Sequence, residues 1–228
     1  MSNRKVALVE GEYYHIYSRG NSKQKIFLND NDYKHFIKCL FVCNTIKKFK
    51  FSRNIKMNPF DFERENTLVS IGAWVLMPNH FHIYLIAPHQ SKYTLKENQN
   101  RISEFMRKVL TAYSLYFNKK YNRTGGLFEG RFKSIHIDTD NQAKYLFSYI
   151  HLNPIKLIQK NWKEEGIFDI KESLKFLDSY KWSSYSDYFK TKRPESVILD
   201  LNDFPNYFLG YKDLNKEILT WLTYKEEQ

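Results

Sequence analysis

Cysteine is nearly absent from this chain of 228 residues. Cys39 and Cys43 stand one helical turn apart in an apolar stretch, so neither a disulfide framework nor a four-cysteine zinc site can be assembled. They read as core thiols. Long apolar runs are missing too. No segment approaches the ~20 apolar residues of a membrane span, and the opening MSNRKVALVEGEYY has no signal-peptide core. A soluble, cytoplasmic protein without membrane contact is the expectation. There is no internal repeat and no low-complexity tract. Also absent are a Walker loop, a dinucleotide fingerprint, a Cys-x-x-Cys pair and a Gly-x-Ser-x-Gly elbow, which removes the commonest nucleotide, redox and hydrolase sites.

Acidic residues are outnumbered, 25 Asp and Glu against 36 Lys and Arg, for a formal charge of +11. That excess favours a polyanionic partner and says little about fold. Aromatics reach 17%, with 17 Tyr and 18 Phe. Aromatics beside cations suit single-stranded nucleic acid, whose bases stack and whose phosphates attract. An AT-rich genome accounts for the same bias. Hydrophobic residues make up 42%, enough for a packed core.

Along the chain, Glu12 to Arg19 (EYYHIYSR) reads as a strand closed by Gly20-Asn21. Asp30 or Asn31 caps a helix whose stripe is Phe36, Ile37, Leu40, Phe41 and Ile46. Lys50 to Asn66 is a polar loop. Leu68 to Met77 is so continuously apolar that it predicts a buried central strand. Pro78-Asn79 breaks it, and His80 to Ile86 resumes as another. Thr94 and Glu97 have capping-box spacing ahead of a long helix carrying Ile102, Phe105, Met106, Val109, Leu110, Tyr113, Tyr116 and Phe117. A basic glycine-containing loop, Lys119 to Lys133, leads to a strand at Phe132 to Ile137. Asp140 caps a helix that stops near Asn153, before Pro154. Strand, helix, strand, strand, helix, strand is the order of a ferredoxin-like α+β fold, an antiparallel sheet backed by two helices. A mainly helical and irregular extension follows.

Alternate side chains on a strand share a face, so His80 and His82 project together while Phe81 points into the core. Two adjacent imidazoles make a two-point metal grip, although a His-x-His triplet also arises by chance. Tyr149 and Asn153, four apart on one helix, share a face. The amide suits a hard ion such as Mg²⁺ or Mn²⁺, which leaves positions open for a phosphate oxygen. Tyr149 then stands as a nucleophile. A stripe of Tyr145, Leu146, Tyr149 and Ile150 that simply packs on the sheet is the competing reading. Lys119, Lys120, Arg123, Arg131 and Lys133 flank Gly125, Gly126 and Gly130, with Phe128 and Phe132 available for stacking. Glycines let backbone approach a phosphate chain and cations neutralise it. A solvated charged hairpin is the alternative.

Three segments in order, MPNHFHIYL (Met77 to Leu85), GGLFEGRFKS (Gly125 to Ser134) and YIHLNP (Tyr149 to Pro154), resemble the single-tyrosine transposases among the HUH endonucleases, of the insertion-sequence and REP-associated type. HIYSRGNSKQKIF (His15 to Phe27) is similar to their first strand and turn, and the likeness runs from about Gly11 to Tyr188. It implies a catalytic domain over residues 1–154 that includes the tyrosine helix, and an extension over 155–228. It implies His80 and His82 as metal ligands, Tyr149 as nucleophile with Tyr145 as runner-up, and Asn153 where relatives carry a polar third ligand, often Gln. Arg19 joins the basic loop as a nucleic-acid contact. The implied activity is cleavage and rejoining of single-stranded DNA beside a hairpin, through a 5′-phosphotyrosine, by a monomer or homodimer. A domesticated binder of structured single strands that does not cut, and a metal-dependent RNA nuclease, are the other readings.

Overall fold

The computed structural model describes residues 7–47, 58–64, 66–89, 100–189, 193–205 and 220. Four strands, β1 (Tyr13–Arg19), β2 (Ser70–Met77), β3 (His80–Ile86) and β4 (Lys133–Ile137), form one sheet in the order β2-β3-β1-β4, every pair antiparallel. With α1 (Asp30–Val42) and α2 (Arg101–Lys120) in the connections, this is the ferredoxin-like arrangement expected from the element order.

The two helices pack on one face. Phe36, Ile37, Leu40, Phe105, Val109 and Tyr113 meet Ile16, Phe81, Ile83 and Leu85 there in the main core. The opposite face is covered as well. α3 (Asp140–Leu152) lays Ala143, Leu146, Phe147 and Ile150 over Ala73, Val75, Met77 and Tyr84. It packs on β2 and β3.

Local signals set most boundaries, with one-residue differences at the caps. Asn29, not Asp30 or Asn31, caps α1: its side chain accepts from Asn31 N, and Asp32 accepts back from the Asn29 amide. Thr139, not Asp140, caps α3, accepting from the Gln142 amide. Asn100 caps α2, accepting from the Ser103 amide. The proposed capping pair Thr94 and Glu97 lies outside the described residues. Ile46 packs against the core but lies beyond the end of α1. Cys39 and Cys43 are buried free thiols, as expected.

One expectation is corrected. β2 is buried along its whole length, yet it ends the strand order rather than standing at its centre. Its faces are covered by α1 and α2 on one side and α3 on the other, and its open edge is closed by a segment from the extension. Leu76 N donates to Trp182 O at 2.8 Å and Ser184 N to Trp74 O at 2.9 Å. Further along, Asp200 N donates to Ile71 O at 3.1 Å. An unbroken apolar run reports burial on both faces, not position in a sheet.

Candidate active site

Register places the chemistry. β3 sets His80 opposite Arg19 and His82 opposite Tyr17 on β1, and Tyr17 in turn faces Lys133 on β4. All five side chains therefore rise from the face that α3 only partly covers. Phe81 is fully buried on the other face and anchors the strand. The two imidazole rings lie 5.0 Å apart and nearly perpendicular.

Each imidazole is engaged on its Nδ1 side. His80 Nδ1 lies 2.6 Å from Asn79 Oδ1, and His82 Nδ1 lies 2.8 Å from His15 Nε2. On the far side of its ring, His82 Nε2 is buried with no hydrogen-bond partner. Burial is also the first cause holding both rings neutral. His80 is lowered to about 4, with Lys156 and Arg19 adding to the effect and Asn153 opposing it. His82 is lowered well below the usual histidine range, with His15, His80, Lys156 and Lys163 adding. A neutral ring offers a lone pair, and that is the form a metal binds.

Asn153 follows the last turn of α3 and is completely buried. Its amide stabilises the charged form of His80 and the ionised form of Tyr149, yet neither Oδ1 nor Nδ2 closes a well-formed hydrogen bond. An unpaired buried amide costs about 1–3 kcal/mol, so the group invites a ligand. Among the described residues no three His, Cys, Asp or Glu side chains gather to hold a metal. His80, His82 and Asn153 together fit a divalent ion in a mixed nitrogen and oxygen shell with positions left open.

Tyr149 is half-buried, one turn before Asn153, and its ring stands edge-on to His82 with centroids 5.3 Å apart. Burial raises its hydroxyl, Asn153 opposes that, and Tyr145 and Tyr17 add to the rise. Lys163 Nζ sits 4.1 Å from the centre of the Tyr149 ring. Tyr145 stacks parallel to Tyr149 at 6.1 Å but is more exposed, and its hydroxyl accepts from Lys163 Nζ at 3.1 Å. Of the two tyrosines, Tyr149 is the one whose ring meets His82.

No protein-family model matches the chain, and no curated protein does. Solved structures do resemble it. A REP-associated tyrosine transposase bound to a REP hairpin is 17% identical with a TM-score of 0.45, covering 81% of this chain and 82% of that one. A presumed transposase of Deinococcus radiodurans R1 is 10% identical with a TM-score of 0.33, covering 64% and 93%. A bacterial tRNA(His) guanylyltransferase-like protein in complex with ATP is 11% identical with a TM-score of 0.41, covering 78% and 73%. At such distances function has to be argued from the site's own residues.

The expected cations separate into two groups. Arg19, Arg131 and Lys133 line a cavity of about 300 Å³ together with Tyr17, His80 and Glu129. Arg19 is paired there with the Glu129 carboxylate through Nε and through Nη2, the latter at 3.0 Å. The rest lie around the end of α2. Lys120 Nζ is 2.6 Å from Asp32 Oδ1 and so neutralises a buried carboxylate of this chain. Arg123 lies over the Phe117 ring, and Lys119 is exposed. Phe132 is buried, and Phe128 is partly buried, packed on the main core beside Phe81. Gly125 and Gly130 have φ of +82° and +63°, which explains the glycines by backbone conformation. His15, Tyr17, Lys156 and Lys163 belong to the site but were not singled out from sequence. His15 and Tyr17 needed the β1–β3 register, and the two lysines carry no local signal.

Proposed function

We propose that the chain is a metal-dependent strand transferase or nickase acting on single-stranded DNA beside a hairpin. One observation carries the reading: the His80 and His82 rings, the unpaired Asn153 amide and the Tyr149 ring converge on one side of the sheet. The sequence resemblance supplies the hairpin substrate, and the net positive charge fits a polyanion. Mg²⁺ or Mn²⁺, held by His80, His82 and Asn153, supplies Lewis-acid polarisation of a phosphate oxygen when bound. Arg131 and Lys133 stand beside His80, where they offset phosphate charge and orient the strand.

In the reaction proposed, the Tyr149 oxygen forms a bond to phosphorus as the bond from phosphorus to the 3′ oxygen breaks. The phenolic proton ends on that 3′ oxygen. The products are a 5′-phosphotyrosine and a free 3′-hydroxyl, and the ester keeps the phosphodiester energy for rejoining. Asn153, next to the Tyr149 hydroxyl, favours its ionised form against the cost of burial.

The test is a denaturant-resistant protein–DNA adduct formed with a hairpin oligonucleotide and Mn²⁺. Adduct lost in Tyr149→Phe and kept in Tyr145→Phe is the expected result, and the reverse pattern overturns the nucleophile assignment. A wild-type protein that forms no adduct with any metal, while its salt-sensitive DNA binding survives His80→Ala and His82→Ala, is a binder that does not cut.

A further inference from the structure

We propose that His15 is a positioning residue, holding the His82 ring in the tautomer that presents Nε2 to a metal ion. This rests on the metal reading above. His15 lies on β1 opposite Tyr84, and it reaches diagonally to His82, the residue that faces Tyr17. Diagonal neighbours on antiparallel strands stand about 7–8 Å apart at the backbone, within reach of ring side chains. The His15 and His82 rings lie 5.0 Å apart at 30°. Tyr17 packs against both rings, with centroids 4.9 Å from His15 and 5.8 Å from His82. Tyr149 meets His15 edge-on at 6.2 Å. With Tyr17, His82 and Tyr149 around it, His15 has little room to turn.

The contact of 2.8 Å between His15 Nε2 and His82 Nδ1 contains one proton. When His82 Nδ1 carries it, His15 Nε2 accepts and His82 Nε2 is left with a lone pair. In the opposite arrangement His82 Nε2 carries a hydrogen, is useless as a ligand, and is a buried donor without an acceptor. His80 shows the same pattern independently. Its Nδ1 faces the amide oxygen of Asn79 at 2.6 Å, which requires the hydrogen on Nδ1 and leaves Nε2 bare. Asn79 thus serves His80 from the turn between β2 and β3, and His15 serves His82 from the neighbouring strand. Metal-bound histidines commonly use such a partner, and its loss costs about 10–100-fold in affinity.

Binding of Mn²⁺ alone, measured by calorimetry on the full chain, separates this role from packing. Wild type, His15→Phe, His15→Gln and His82→Ala are compared, each with its thermal midpoint. The side-chain amide oxygen introduced by His15→Gln can accept from His82 Nδ1, whereas the ring introduced by His15→Phe fills the space without an acceptor. Expected is a loss of about 10–100-fold in Mn²⁺ affinity for His15→Phe, with most of it recovered in His15→Gln. Equal affinity in His15→Phe and wild type overturns the inference. So does a loss that is equal in the two variants or simply follows their thermal midpoints. Wild-type protein that binds no Mn²⁺, or binding untouched in His82→Ala, overturns the metal reading itself and the inference with it.

Discussion

Asn153 and His151 sit two residues apart and face opposite problems. Asn153 is buried with both amide atoms unpaired. His151 is equally buried, but its Nε2 lies 2.7 Å from Ser184 Oγ and ties the tyrosine helix to the extension. The proposed metal set yields a first prediction. Asn153→Leu should lower Mn²⁺ affinity by at least the about tenfold that losing a partner of a metal-bound histidine costs, with a smaller effect on thermal stability. A calorimetric titration beside a melting curve reads both. His151 gives a second, with His35. Burial is the first cause lowering both, His35 to about 4 and His151 to about 3 from an ordinary 6.5. The unfolded chain therefore binds protons that the folded one refuses. Stability is full above about pH 6.5 and declines as pH falls toward 4 and 3. Urea midpoints should fall from pH 6.5 downward, and His151→Leu should make that decline shallower.

At the scale of elements, the start of α1 and the end of α2 are bound together through Asp32. Its carboxylate is fully buried and accepts from the Leu28 and Asn29 amides, the Tyr116 and Tyr121 hydroxyls and Lys120. Burial raises its pKa, and the hydrogen bonds more than offset that, leaving the carboxyl below its ordinary value. Asp32→Ala leaves five donors without their acceptor and should cost at least about 1–3 kcal/mol in urea unfolding, without altering metal binding. The outer edge of β2 depends on the extension in the same way. Trp182 gives its carbonyl to Leu76 N and stacks on Tyr33 at 4.6 Å and 13°. A chain ended at Ser179 should expose a long apolar edge strand and aggregate. Size-exclusion chromatography of the shortened chain checks this, and a soluble monomer would count against it.

Over the whole molecule, the charge of +11 is not spread evenly in its use. Lys133 lines the cavity beside His80, whereas Lys120 is occupied by Asp32. Salt dependence separates them. Each phosphate contact on a single strand contributes about 0.7 to the slope of log affinity against log salt. Lys133→Gln should lower that slope by roughly this amount, and Lys120→Gln should leave it unchanged while lowering stability. Equal effects of the two on the slope would extend the DNA path to Lys120 as well. No described helix is long and apolar enough to cross a membrane.

Local pattern determined the order of the elements, the shared face of His80 and His82, and the four-residue spacing of Tyr149 and Asn153. Each is a property of residues close in the chain, where periods of 2 and 3.6 decide which side chains meet. The caps of α1 and α3 were legible to within one residue for the same reason: Asn29 and Thr139 act on the amides just beyond them. Only the tertiary structure decided which cations face the site, because Lys120 turns to Asp32, 88 residues away in sequence. It also decided that β2 lies at the end of the sheet with a distant segment on its edge, and that His15 stands behind His82. Those placements depend on strand register and packing between segments far apart, to which no local period refers. The histidine pair was visible in the sequence, and the groups that orient it became visible only once β1 lay beside β3.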